Sequence, residues 1–254
     1  MADTIKAVIF DWAGTTIDYG CFAPVNGFID GFKSIGLDIT EEMARKPMGL
    51  AKIDHTRAIA AMLPEQISEE RILKAYAVFE ETLFANIKQH CDIKDYVVET
   101  VETLRNQGIK IGSTTGYTSA MMRCILPKAA EQGYKPDFCI APDQTAKGRP
   151  YPYMIWNNLM QFHVAKPWEA VKVGDTAADV EEGKNACCWT VGVIMGSSEL
   201  GLRRDAVAAL NESILDDRKT VVKDTYKRAG ADYIIDDMNE LPDVIADINR
   251  RLAR

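Results

Sequence analysis

The stretch Ala7–Asp18, AVIFDWAGTTID, constrains the fold of this chain more than any other. Ala7, Val8, Ile9 and Phe10 form an apolar run of the length of a short buried strand, and an acid followed by a glycine turn stands where that strand must end. In open α/β sheets ligands bind beyond the carboxyl ends of the strands, so Asp11 is expected to face a ligand rather than the core. Its weight comes from three later segments, which place oxygen donors, a cation and further carboxylates at comparable strand ends.

From position 97 onward strand and helix candidates alternate. Strands are predicted at Lys110–Thr114, Phe138–Ala141, Ala170–Val173, Trp189–Ile194 and Tyr233–Ile235, separated by amphipathic stretches. Such alternation predicts an α/β fold: a doubly wound, Rossmann-like parallel sheet covered on both faces, to which the opening strand also belongs. Between Cys21 and Tyr96 the pattern is helical instead. Val25, Phe28, Ile29, Phe32 and Ile35 fall on one helical face, and Arg71–Lys88 carries Ile72, Tyr76, Phe79 and Leu83 at helical spacing. The expected organisation is a core of residues 1–20 and 97–254 with an inserted helical cap domain, 21–96. A chain of 254 residues, 47% of them hydrophobic, has the apolar content for that arrangement.

The formal charge of -7 argues against a nucleic-acid surface, though not against a local cationic pocket. No apolar run approaches the roughly 18 to 20 residues of a membrane span, and Met1–Lys6 lacks the character of a signal peptide. Six cysteines without CxxC spacing read as reduced thiols, so a cytoplasmic location is expected.

Four segments end candidate strands or follow them at once: Asp11–Asp18, Ser113–Tyr117 (STTGY), Lys147–Pro152 (KGRPYP) and Gly174–Asp179 (GDTAAD). Together they offer carboxylates, hydroxyls, an arginine and glycine turns whose N–H groups can face an anion. That set suits a phosphoryl group with a hard divalent cation. Mg²⁺ prefers few carboxylates plus waters and substrate oxygens, which Asp11, Asp175 and, through water, Asp179 can provide. Asp179 reads equally well as a helix cap or turn residue.

In order and residue type these segments resemble the motifs of the haloacid-dehalogenase-like superfamily of phosphotransferases, over Asp11 to Asp179, with a helical cap where that superfamily often inserts one. The resemblance implies that Asp11 is the nucleophile and that Thr115 and Gly116 bind phosphoryl oxygens. It also implies that Arg149 supplies the cation of the third motif, and that Asp175 and Asp179 are metal-site acids. Arginine in place of the usual lysine keeps the charge and adds bidentate geometry. One departure is informative. Phosphatases of the superfamily usually carry a second aspartate two residues after the nucleophile, where it protonates the leaving oxygen, and here that position is Ala13. Its carbonyl can still face the metal, but without a general acid the expulsion of an alkoxide should slow by roughly two to four orders of magnitude.

The insertion offers other help. Met48, Lys52, His55, Ile59 and Met62 recur every three or four residues, forming one stripe on a helix. A lysine on such a face either loses hydration, which frees its amine to attack a carbonyl, or snorkels to solvent. His55 reads as a packed, hydrogen-bonded histidine or as a proton shuttle. If the leaving atom is carbon, a protonated Schiff base on a neighbouring carbonyl takes up the electron pair by collapsing to an enamine.

The segments DWAGT (Asp11–Thr15), MGLAKIDH (Met48–His55) and STTGY resemble the phosphonoacetaldehyde hydrolase branch of the superfamily. That resemblance implies hydrolysis of phosphonoacetaldehyde to acetaldehyde and phosphate through a Lys52 Schiff base and an aspartyl phosphate on Asp11. It further implies Mg²⁺ dependence, Cys21, Met48, His55 and Tyr117 around the imine, and a homodimer built on cap helices. The rivals are a phosphomonoesterase or phosphotransferase using Asp11 alone, and a non-catalytic protein that binds a phosphorylated metabolite. Two weaker signals remain open: Gly192–Leu202 as a site loop or a surface turn, and Asp216–Arg228 as a solvated helix face.

Overall fold

In the computed structural model, which describes residues 3–253, six strands carry the predicted alternation. They are β1 (Ala7–Phe10), β2 (Lys110–Thr114), β3 (Phe138–Ile140), β4 (Ala170–Gly174), β5 (Trp189–Val193) and β6 (Tyr233–Ile235). Every pairing is parallel, in the order β3-β2-β1-β4-β5-β6. β1 is the hub. Ala7 stands opposite both Lys110 and Ala170, so each edge of the strand is paired, and all four residues are buried. The strand order reverses between β1 and β4, which puts the ligand crevice of such a sheet outside Phe10 and Gly174.

Four helices stand between β1 and α5 (Val97–Asn106): α1 (Phe22–Ser34), α2 (Glu41–Arg45), α3 (Lys52–Ala60) and α4 (Glu69–Asn86). The remaining helices are α6 (Ser119–Glu131), α7 (Tyr153–Gln161), α8 (Ala177–Asn185), α9 (Arg204–Ala209), α10 (Glu212–Ala229) and α11 (Leu241–Leu252). The apolar stripe of α1 is used within the chain: Val25, Phe28 and Phe32 are buried, and Phe28 stacks on Phe79 of α4 with ring centroids 4.2 Å apart.

The Met48–Met62 stripe is longer than the helix that bears it. Gly49 adopts φ 94, ending regular structure ahead of Lys52, and Pro64 disfavours helical geometry at the residue before it. Met48 therefore lies in a turn before α3 and Met62 beyond its end. Two connections join the helical insertion to the sheet. Asp18 accepts from the N–H groups of Phe22 (3.2 Å) and Ala23 (3.0 Å) at the start of α1, while Ile17 bridges Ile93 on the return path. The face of α10 is largely solvated, as expected, yet Val222 and Tyr226 turn inward and are buried.

Candidate active site

Asp11 follows β1 directly and its N–H donates to the Val173 carbonyl at 2.9 Å, which locks this acid to the end of β4. Asp175 lies across the same gap. Thr15 Oγ1 stands 3.0 Å from Asp175 Oδ1 and 3.4 Å from Asp11 Oδ2, and the Ser198 N–H donates to Asp175 Oδ2 at 2.7 Å. Behind them the Tyr226 hydroxyl lies 2.7 Å from the Asp175 carbonyl oxygen. Of the segment Gly192–Leu202, Gly192 and Val193 close strand β5 and the rest is a loop against Asp175 rather than a surface turn, with Ser197 and Ser198 both buried.

A cage of ions lies beneath the two acids. Arg149 meets Asp11 at 2.7 Å, Asp179 at 2.9 Å and Glu182 at 2.9 Å, and also donates to Thr114 Oγ1 at 2.8 Å. Lys172, a charged residue inside the buried strand β4, reaches Asp179 at 2.9 Å and Glu182 at 3.3 Å. Asp179 is further engaged by Thr176, whose hydroxyl and carboxylate partner form the capping box of α8. Burial opposes the charge on Asp179, but Arg149 and Lys172 outweigh it and hold the carboxyl below its ordinary range.

Asp175 has the opposite balance. Burial first, then the facing charges of Asp11 and Asp179, push its pKa well above the usual carboxylate range. Its direct partners on the carboxylate are a hydroxyl and an amide, while Arg149 is spent on the other acids. The edge between Asp11 and Asp175 is therefore short of positive charge. Asp11, Asp175 and Asp179 offer carboxylate oxygens all within 4.8 Å of one another, a hard-oxygen set that fits a divalent cation.

On the opposite wall stands Lys52, the first residue of α3, only 5% exposed. Its Nζ meets Met48 Sδ at 4.0 Å and stands 4.9 Å from the Tyr117 ring centroid and 6.0 Å from that of Phe28. Burial lowers its pKa from 10.5, the direction that favours a free amine. Asp11, Ala13, Cys21, Lys52, Thr115, Gly116, Tyr117, Arg149 and Asp175 all line one cavity of about 20 Å³, room for about one water. The insertion closes directly on the core here: a Cβ on Gly116 would stand 2.7 Å from the Leu50 carbonyl oxygen. Thr115 Oγ1 accepts from the Tyr117 N–H at 3.0 Å, shaping the turn that holds Gly116. Burial raises the pKa of Cys21, so its sulfur stays a thiol, and likewise keeps Tyr117 a phenol.

Met48 and His55 stand behind Lys52 rather than on the cavity wall. His55 is fully buried, its ring centroid 3.9 Å from that of Phe28 and its Nε2–H donating to the Ala44 carbonyl at 2.8 Å. Burial drives its pKa well below 6.5, so the ring is neutral and Nδ1 keeps an unused lone pair.

Residues 5–186 match the model of the haloacid dehalogenase-like hydrolase family. The chain belongs to that family. Among haloacid dehalogenase-like proteins, the chain is 48% identical over 257 residues to a phosphonoacetaldehyde hydrolase of Bacillus cytotoxicus, with 97% of each chain covered. It is 46% identical to a bifunctional phosphonoacetaldehyde hydrolase/aminoethylphosphonate transaminase of Clostridioides difficile, of which it spans 41% while 99% of its own length is matched. A crystal structure described as a phosphonoacetaldehyde hydrolase like protein from Oleispira antarctica superposes with a TM-score of 0.94 at 36% identity, covering 100% of this chain and 95% of that one.

Sequence reasoning missed Thr15, Thr114, Lys172, Glu182, Ser198 and Tyr226. Lys172 carried a usable signal, since a lysine in an otherwise apolar parallel strand needs a buried counter-ion. Glu182 and Tyr226 look like ordinary helix-surface residues until α8 and α10 are packed on the sheet.

Proposed function

We propose that this chain hydrolyses the carbon–phosphorus bond of phosphonoacetaldehyde, giving acetaldehyde and phosphate, with residues 21–96 acting as a cap over the Asp11 site. The observation that carries this reading is the meeting of a desolvated lysine, Lys52, and the nucleophile position, Asp11, on one small closed cavity, in a chain with alanine where an ester hydrolase needs an acid. A cavity of about 20 Å³ does not hold the substrate, so this reading includes movement of the cap away from Asp11, on the side where Lys52 and Arg149 also line a cleft of about 470 Å³.

The Lys52 amine adds to the aldehyde carbon, the hydroxyl of the adduct takes up a proton from solvent and departs as water, and a protonated imine is left. Asp11 then attacks phosphorus in line with the departing carbon, and the C–P electron pair moves into the enamine. Protonation of that carbon and addition of water to the imine release acetaldehyde and restore Lys52. A further water cleaves the aspartyl phosphate on Asp11. Arg149, already 2.7 Å from Asp11, orients the carboxylate and offsets charge on the phosphonyl oxygens, while Thr115 and Gly116 bind them. Cys21 and Tyr117 bound the imine, with Met48 Sδ 4.0 Å from Lys52 Nζ and His55 three residues further along α3. A divalent cation, Mg²⁺ in this reading, would be held by Asp11, Asp175 and the Ala13 carbonyl, with Asp179 acting through water, and supplies Lewis-acid stabilisation of phosphonyl charge.

The same reading includes a cytoplasmic location, in keeping with six free cysteines, and a homodimer through the cap helices. Leu73 and Phe84 are large apolar side chains exposed on α4, so they are where pairing through the cap helices would begin.

The discriminating assay compares phosphate release from phosphonoacetaldehyde and from p-nitrophenyl phosphate. Turnover of the phosphonate, abolished in Lys52→Arg, is expected; efficient turnover of the ester alone would replace the reading with a phosphomonoesterase.

A further inference from the structure

Lys94 lies on the return connection from the insertion to the sheet, outside every motif, and the reaction above gives it no task. It is 6% exposed. Its backbone N–H donates to the Thr16 carbonyl at 2.9 Å, beside the Ile17–Ile93 bridge. Its Nζ donates to the carbonyl of Gly14 and, at 2.7 Å, to that of Met195.

Those two carbonyls belong to the loops that seat Asp175. Gly14, with φ 86, presses so closely that a Cβ there would stand 2.1 Å from Asp175 Oδ2. Met195 opens the turn whose Ser198 N–H donates to the same oxygen at 2.7 Å. Gly196 in that turn packs on the stem of Lys94, where a Cβ would meet Cε at 2.8 Å, and its carbonyl accepts the Gly20 N–H from the outgoing connection at 2.8 Å. Lys94 Nζ therefore ties the return connection to the loops on both sides of Asp175, and the Gly20–Gly196 backbone bond ties the outgoing connection to one of them. An apolar side chain could fill the same space, but it would leave two carbonyls without their donor.

We propose that Lys94 is a positioning residue that fixes Asp175 for the divalent cation and couples the cap connection to that site. The inference rests on the reading of Asp11 and Asp175 as metal ligands. Lys94 touches neither cation nor substrate, and acts through Gly14 and Met195. Because such coupling is reciprocal, cation binding and order in the connection rise together.

The test uses the full chain as Lys94→Met and Lys94→Gln, with Mg²⁺ binding measured by calorimetry in the absence of substrate and folding followed by circular dichroism. Loss of an outer support of this kind is expected to weaken Mg²⁺ by about 10- to 100-fold. Imine formation at Lys52, trapped by borohydride, is expected to persist, since Lys94 serves the opposite wall of the site. Wild-type Mg²⁺ affinity in either folded variant overturns the proposal. In the wild-type chain, amide exchange over Lys94–Tyr96 is expected to slow when Mg²⁺ is added; unchanged exchange overturns the coupling even if neither variant folds. A wild-type chain that binds no Mg²⁺ removes the metal reading first, and this inference with it. A wild-type chain that binds Mg²⁺ yet forms no imine removes the phosphonate reading and leaves this one standing.

Discussion

At the scale of residues, the site separates two chemistries that would interfere if they shared a wall. Asp11, Asp179 and Glu182 face Arg149 and Lys172 on the sheet side, with Asp175 beside them on a hydroxyl and an amide. Lys52 stands apart among sulfur and aromatic rings, where its ammonium form is poorly solvated. Only the neutral amine attacks an aldehyde, and its fraction grows as pH rises toward a lysine pKa that burial has lowered from 10.5. The rate of imine formation is therefore expected to climb with pH and level off below the ordinary lysine range, as a pH profile of single-turnover trapping would show. A profile still rising through pH 10.5 would mean that the amine is solvated when substrate arrives.

At the scale of elements, the connections between sheet and insertion deserve as much weight as the motifs. Asp18 caps α1 through Phe22 and Ala23, and His90, at the end of the path from α4, places Nδ1 3.2 Å from Asp18 Oδ1. The hydrogen bond to Asp18 raises the His90 pKa above 6.5. A group whose folded pKa is raised stabilises the fold fully below its unfolded value and loses that contribution as pH rises through the folded value. The thermal midpoint is thus expected to fall as pH is raised from 6 through the region above 6.5, and His90→Gln should flatten that slope; an unchanged slope would assign it to another group. The strands and the α1 stripe were readable because burial imposes period and length directly, while α4, expected over Arg71–Lys88, runs from Glu69 to Asn86 because Ser68 caps its start. α3 was read too long, because five residues at helical spacing carry no mark that Gly49 has already turned the chain.

At the scale of the whole molecule, the sheet order alone explains why residues more than 160 positions apart meet: β1 and β4 are neighbours at the reversal, so Asp11 and Asp175 share one crevice. Three of the motifs could be read in the sequence because each follows a strand end; Lys147–Pro152, expected directly after a strand, instead lies beyond β3 and the turn at Pro142–Gln144. Glu182 and Lys94 could not be read, since their partners come from loops and helices placed only by the finished packing, whereas Lys172 announced a buried counter-ion from its place in an apolar strand without saying which. The insertion places Lys52 on the same cavity, and on that meeting the phosphonate reading depends. Borohydride reduction of the chain in the presence of phosphonoacetaldehyde, followed by mass mapping of peptides, tests it most directly. A reduced adduct on Lys52, lost in Lys52→Arg, is the expected result; an adduct on a different lysine, or substrate turnover with no adduct at all, would contradict it.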